Sequence, residues 1–519
     1  MNKLFHLTFL YVLISSCYGD DNPSDKSVED HHLSFSSFKF EKDRNPYLKE
    51  DVVLTTCGID TLYAFIPELE YADSLIATYA VDDSQVEKVT VGGVKQESGA
   101  TLQDYSRIVQ YDLIDYDGRT QSIYIKVLVA NAIPRIDVET EGAIDITSKI
   151  NYVNANIRIT NCPERGTIIS GGKIRGRGNA SWSHPKKSYK LKFSSKQNPF
   201  GFPENKDWVL LGNYTDRSLM RTAYMCEVSK ALGIKYTVNY QYVDFYLNYD
   251  YQGTYMFTEH IKKDKNRVDI EDDGFFIEGD NYYQYEPLFF VTDSFRVGMT
   301  FKYPDADDGK IVEGDDNFNY IKNYMNQVEA ALLSIQYGKT DYAQLIDSRS
   351  FAKWIIAEEV LANFDSNFFY VLNSRNSKLE MYPLWDFEWS LGLGETTEDG
   401  WVLPPNKPRI DIVYWNRYPY TKYLYYDPEF IHILQDEWCM FKPHIPEIKK
   451  RLESIRKSLE YTQKDNFEKW PILDIFVSRE LVVLGEWNKE VDYINYFFEK
   501  RVQWFDNYVM SEVPKTYSN

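Results

Sequence analysis

Between residues 33 and 132 apolar and polar side chains alternate with a period of two, the signature of strands with one buried face. The runs at 33–40, 61–66, 76–79, 86–91, 107–113 and 122–129 are separated by turn signals such as Gly92-Gly93 and Asp117-Gly118. Short strands spread over about 100 residues predict a β-sandwich. Beyond Pro134 the pattern changes. Segments 154–160, 172–177, 188–193, 208–212, 240–247 and 253–258 still read as strands, with a turn at Asn248-Tyr249-Asp250. A helix is expected from an Asp216 cap through Leu232, with Gly233 as its stop. After about Asn317 the period lengthens to that of helices, at 317–337, 350–364, 428–460 with a break near Pro446, and 475–508. Strand-rich first and helix-rich second is an α+β order, with one domain over 33–132 and another over 133–519.

Composition narrows what such a chain can do. The net charge of −20 over 519 residues disfavours electrostatic capture of nucleic acid, which needs Lys and Arg to neutralise phosphates. Five scattered cysteines, with no C-x-x-C, do not make a disulfide scaffold. Seven histidines form no H-E-x-x-H, so a zinc hydrolase is not expected. Tyr, Phe and Trp make up 16% of the chain; either cross-strand pairs or an exterior that handles sugars or peptides would use them.

The first residues read as an address. Lys3 precedes the apolar run 4–14, too short to span a bilayer, and Ser15-Ser16 follow. Ile14-Ser15-Ser16-Cys17 resembles a bacterial lipobox, which makes Cys17 the expected lipid anchor and 1–17 a lipoprotein signal peptide. Asp20-Asp21 resemble the acidic export tag of Bacteroidota surface lipoproteins, and 18–32 is a polar linker. The expected location is the bacterial outer membrane or cell surface, facing either the periplasm or the outside, with the lipid as the sole membrane contact.

Two clusters carry candidate chemistry. Gly171–Trp182 and Pro185–Phe193 combine glycines with Lys and Arg in an acidic chain, a local positive island. In the strand 188–193, Lys190 and Lys192 project to one face, while Tyr189, Leu191 and Phe193 project to the other. A tight hairpin with a solvated basic face would carry the same pattern. The second cluster is Asp365-Ser366-Asn367, followed by Trp385-Asp386-Phe387-Glu388-Trp389. Read as a strand, Asp386 and Glu388 share one face among aromatics, where carboxylates need a partner or a cation such as magnesium or manganese. One part could neutralise phosphates, another hold a metal, and an aspartate accept a hydroxyl proton, which is what phosphoryl transfer requires.

Arg175–Trp182, Lys186–Phe193, Trp208–Tyr214, Asp216–Arg221, Leu247-Asn248 with Gly253-Thr254-Tyr255, Glu259, and the segments bearing Asp365 and Asp386 together resemble the CotH family of spore-coat-protein-H-type kinases. The 33–132 stretch resembles the immunoglobulin-like modules of Bacteroidota surface lipoproteins. The family implies an atypical two-lobed, protein-kinase-like domain that transfers the ATP γ-phosphoryl group to Ser/Thr of exported or surface proteins. By that resemblance Asp365 is the base and Asp386 the magnesium-binding aspartate, Asn367 a second metal-side ligand and Glu388 a further candidate. Arg177 would face the phosphates together with Lys187 and Lys192, with Lys190 as the alternative lysine, Glu259 would face the adenine side, and Arg221 would brace the site or serve as a structural salt bridge. Two features depart from kinase and family patterns. A single residue separates Asp365 from Asn367, where protein kinases place four, and Asn248-Tyr249 replaces an Asn-Gly turn. The alternatives are an inactive CotH-like scaffold that binds glycans or proteins, and a metal-dependent hydrolase.

Overall fold

The computed structural model describes residues 32–46, 48, 51–57, 60–66, 69–105, 108–129, 133–162, 166–306, 309–365, 368–393, 419–478 and 482–513. Cys17, the leader, almost all of the linker and Asn367 lie outside them. The architecture is mixed α+β, and the chain divides into two compact units between Val129 and Ala130. No described helix is long and apolar enough to cross a membrane.

The first unit is two sheets around one core. One has four strands in the order Val52–Val53, Ser37–Phe40, Leu75–Ala80, Leu102–Gln103. The other has six, in the order Thr55–Cys57, Thr61–Ile66, Thr120–Val129, Val109–Asp115, Val86–Val91, Val94–Lys95. Alternate residues of facing strands, among them Phe38, Phe40, Tyr111, Leu113, Ile123 and Ile125, fill the space between. Buried phenols need partners, and Tyr105 and Tyr111 supply each other's at 2.5 Å.

The second unit begins with a closed barrel. Its strands are β1 (Arg135–Thr140), β2 (Val153–Cys162), β3 (Gly166–Arg177), β4 (Ser188–Gln197), β5 (Asn205–Leu211), β6 (Tyr240–Leu247) and β7 (Asp250–Glu259). They pair in the order β1-β2-β3-β4-β5-β7-β6, and a parallel pairing of β6 with β1 closes the ring. Its interior is apolar, with Ile157, Ile174, Leu191, Trp208, Leu210, Phe245 and Phe257 buried. The β6–β7 hairpin has a two-residue loop in which Asn248 and Tyr249 both take left-handed φ, 49° and 68°. That is the turn the right-handed strand twist favours, and Asn248 Oδ1 secures it by accepting from Thr140 N at 2.8 Å.

A five-stranded sheet follows, built from β8 (Phe275–Gly279), β9 (Phe289–Val291), β10 (Gly298–Tyr303), β11 (Phe368–Leu372) and β12 (Leu379–Met381) in the order β9-β10-β8-β11-β12. It shares one core with α1 (Arg221–Ala231), α2 (Asp316–Ser334), α3 (Ser348–Leu361), α4 (Pro428–Phe441), α5 (Ile445–Leu459), α6 (Thr462–Lys469) and α7 (Trp487–Asn507).

Two sequence expectations change, and a third, the break near Pro446, holds. Asp216 does not cap a helix directly: α1 starts at Arg221, and the fully buried Asp216 instead accepts from the backbone N–H of Ser218 and of Arg221. The break in the 428–460 helix falls at Lys442–His444, just before Pro446. The last helix begins at Trp487, because buried Arg217 captures the carbonyl oxygens of Ile472 and Ile475 and holds that stretch out of helical geometry.

Candidate active site

Strand register builds a basic face on the outside of the barrel. Arg175 lies opposite Lys190, and Lys173 opposite Lys192, across β3 and β4; Asp207 of β5 lies opposite Lys192. The intervening Tyr189, Leu191 and Phe193 are buried inside, so the alternation drives one face into the core and leaves the other to ions. Lys190 Nζ lies 2.8 Å from His260 Nε2, just past the end of β7. Burial pushes Lys190 down to about 8, with Asp207 opposing and Arg175, Lys262 and Lys192 adding to the effect. Burial also holds His260 well below the usual imidazole range, reinforced by Lys190, Arg177, Arg267 and Lys262. Asp207 is engaged by Lys262 at 2.5 Å.

The other lysines separate by partner. Lys187 donates to the carbonyls of Trp182 and His184, at 2.9 and 3.3 Å, and lies over the Trp182 ring, so its amine is occupied locally. Lys192 makes no hydrogen bond or ion pair among the described residues. Arg177 likewise makes none; its guanidinium lies 5.6 Å from the centre of the Trp385 ring. Burial lowers its pKa while the charge of Asp386 raises it.

The acidic side is built by two loops laced together. Asp365 follows α3, which ends in left-handed Ala362, and Phe364 N donates to Trp389 O while Leu391 N donates to Leu361 O, both at 2.8 Å. The segment 382–389 is not the strand that alternation suggested. Pro383 lacks the N–H a ladder needs, pairing stops at Met381, and Asp386 adopts a left-handed φ of 65°. Asp386 and Glu388 therefore do not share a strand face. Glu388 Oε1 accepts from Thr215 N at 2.9 Å and from Thr215 Oγ1 at 2.5 Å. Asp386 is open to solvent, between the buried Trp385 and Phe387. Its carboxyl is pushed up to about 7, first by burial and then by the charge of Asp365, against the pull of Arg177; Glu388 and Glu278 add repulsion. The two aspartates and the basic face thus act on each other electrostatically through Arg177.

Arg221 fixes the segment that follows Asp386. Its guanidinium pairs with Asp216 at 2.6 Å and donates to the carbonyl of Ser390 at 2.7 Å and of Leu391 at 3.4 Å. It is both a buried salt bridge and a brace on the segment that carries Asp386. Glu259, by contrast, is fully enclosed. Its Oε2 accepts from Asn239 N at 2.9 Å and from Tyr236 OH at 3.2 Å, so its carboxylate is directed into structure instead of a cleft. Sequence reading did not single out His260 or the Lys302–Glu278 pair, 2.6 Å apart on β10 and β8, and it took Trp385 only as an aromatic neighbour of the acids. His260 carried one usable signal, its place directly after Glu259 at the end of a strand.

Among the described residues no three His, Cys, Asp or Glu side chains are grouped to hold a metal ion. The donor set still fits magnesium, which is commonly held by one or two carboxylates together with substrate phosphates and water. Asp386, open to water and with its charge disfavoured by neighbouring Asp365, belongs to such a set.

The comparisons with known proteins follow the same lines. No curated protein matches the chain. Among solved structures it is similar to a putative glycoside hydrolase from Bacteroides thetaiotaomicron at 13% identity, with a TM-score of 0.17. That match covers 52% of this chain, which spans 65% of the other chain's length, and so weak a superposition carries no argument. The model of the CotH kinase protein family matches residues 174–505, from β3 through most of α7 and including both aspartate segments. The chain belongs to the CotH family.

Proposed function

We propose that this protein transfers the γ-phosphoryl group of ATP to Ser or Thr hydroxyls of exported or surface proteins. The observation that carries the reading is that Asp386 lies within electrostatic reach of both Asp365 and Arg177, whose guanidinium makes no hydrogen bond among the described residues. An arginine held over Trp385, with all its N–H donors available, suits the oxygens of a phosphate chain. Asp365 accepts the proton of the attacking hydroxyl. Asp386 holds the metal side, with Asn367 as a further ligand, while Glu388 positions Thr215 and Trp389. Magnesium or manganese, when bound, would neutralise charge on the phosphates. The kinase-like two-lobed arrangement belongs to this reading, as do an immunoglobulin-like spacer over the first unit and a lipid anchor at Cys17.

The test uses protein lacking residues 1–21, γ-labelled ATP, and magnesium or manganese. We expect label in the protein itself. Asp386→Ala loses metal-dependent nucleotide binding by calorimetry, whereas Asp365→Ala keeps binding and loses transfer. Equal incorporation by both variants and the parent overturns the mechanism. A parent protein that binds no ATP with either metal is a scaffold instead.

A further inference from the structure

The lysines of this region differ in what holds their amines among the described residues, and Lys173 and Lys192 have no hydrogen bond to orient them. Lys186 is spent on Thr254 O and Asn466 Oδ1, and Lys187 on Trp182 O and His184 O. Lys262 is paired with Asp207. Lys192 is oriented by nothing within hydrogen-bond reach. Lys190 is held by a single contact, to His260 Nε2 at 2.8 Å, and lies directly across the strand pair from Arg175. We propose that Lys190 is the lysine that contacts the nucleotide phosphates, and that His260 is the positioning residue that presents it. The inference rests on the ATP reading above and deepens it.

The chemistry of the pair explains why a histidine stands there. A lysine ammonium has three donors and no acceptor, so Nζ must donate and His260 Nε2 must be bare, with the ring proton on Nδ1. A carboxylate in that place would neutralise the amine and compete with an incoming phosphate for it. A neutral imidazole takes one of three N–H bonds and leaves the positive charge, and two donors, for the ligand. The surroundings keep the ring neutral: Arg177, Arg267 and Lys262 face it together with Lys190, and protonation would add a further positive charge among them. Arg267 also donates to the backbone carbonyl of His260 and to that of Asp207, at 2.7 Å for the latter, which fixes the chain that carries the ring. Lys190 itself is faced by Asp207, Arg175, Lys262 and Lys192.

The test reads the amine directly. Protein lacking residues 1–21 is labelled briefly with acetic anhydride across pH 6 to 10, and acetylation is quantified at each lysine by mass spectrometry. Lys190 is expected to react with a midpoint near pH 8 and to be protected at least fivefold by ATP with magnesium. His260→Leu, which removes the acceptor, should shift the midpoint down and raise the KM for ATP about tenfold with a smaller change in kcat. His260→Gln, whose carbonyl can still accept, should restore both. Lys190→Met should raise KM at least as much as His260→Leu. Binding of ATP without protection of Lys190 overturns the inference and leaves the ATP reading standing. Absence of ATP binding in the parent overturns both. Equal loss in the Leu and Gln variants, with an unmoved midpoint, would make His260 merely structural and overturn its assigned role.

Discussion

Two polar clusters in the second unit use the same kinds of group and treat them in opposite ways. In the first, Lys186 Nζ bonds Thr254 O at 2.6 Å and Asn466 Oδ1 at 2.7 Å, and Thr254 N donates to that same oxygen at 3.1 Å. Thr462 and Tyr251 donate to Asp244, and the two threonine hydroxyls meet at 2.7 Å. These bonds tie β7 to α6 with little space left; a Cβ on Gly253 would lie 2.7 Å from Asn466 Oδ1 and 3.0 Å from Lys186 Cε. In the second cluster, Asp386, Arg177 and Lys192 make no hydrogen bond among the described residues. Completed bonds in a recessed network mark a structural joint. Charges that a fold gathers and leaves without partners raise its energy, and such a cost persists where a ligand is to complete the set.

The contrast is sharpest under substitution. Asp386→Ala should lower phosphoryl transfer by at least a hundredfold while leaving the melting temperature equal or higher, since it removes a charge that Asp365 repels. Asp244→Ala should do the converse. It removes the carboxylate that accepts from the Thr462 and Tyr251 hydroxyls and a negative charge near the buried Lys186, and should cost about 1–3 kcal/mol in urea unfolding for each hydroxyl left unsatisfied. If Asp386→Ala destabilises the fold as much as Asp244→Ala, the two clusters do not differ in kind.

A pH series tests the joint by itself. Burial pushes Lys186 down to about 7 from 10.5. Between those values the unfolded lysine binds a proton that the folded one lacks, so this group makes stability rise as pH climbs through that window. Asp244, pushed up to about 6 from 3.8 mainly by burial, acts oppositely. There the folded form holds the extra proton, and stability from this group falls as pH rises from about 4 to 6. Lys186→Met should flatten the alkaline slope and leave the acid one, measured by urea unfolding at successive pH values. The smallest effect concerns neither cluster. Tyr249 occupies a left-handed turn position without being glycine, and Tyr249→Gly should stabilise the protein by about 1 kcal/mol with no change in transfer.

What could be read from sequence follows the regularity of the backbone. Strands at 61–66, 86–91 and 240–247 fall where alternation places them, and the two faces of β4 divide as its period of two requires. Paired acids among aromatics were visible as a feature needing explanation. Their local geometry was not, because Pro383 and the left-handed Asp386 replace a strand with an irregular loop that is held by Arg221 from far away in the chain. The start of α7 was hidden for the same reason: Arg217 reaches Ile472 and Ile475 across some 255 residues. The placement of His260 beside Lys190 depends on two strands that are not neighbours in sequence. Local pattern reports periodic elements; contacts between distant irregular segments leave no period to detect.

The ring closure of the barrel has a consequence for how the chain acquires its shape. β1 is seated by a parallel pairing with β6, Arg135 opposite Asp244 and Val138 opposite Leu247, and Arg135 stacks 3.6 Å above the Tyr246 ring. Synthesis delivers the first of these strands about a hundred residues before the second, so the earlier one must wait with an unsatisfied edge. A nascent or partly delivered chain is therefore held open by topology alone until the latecomer docks.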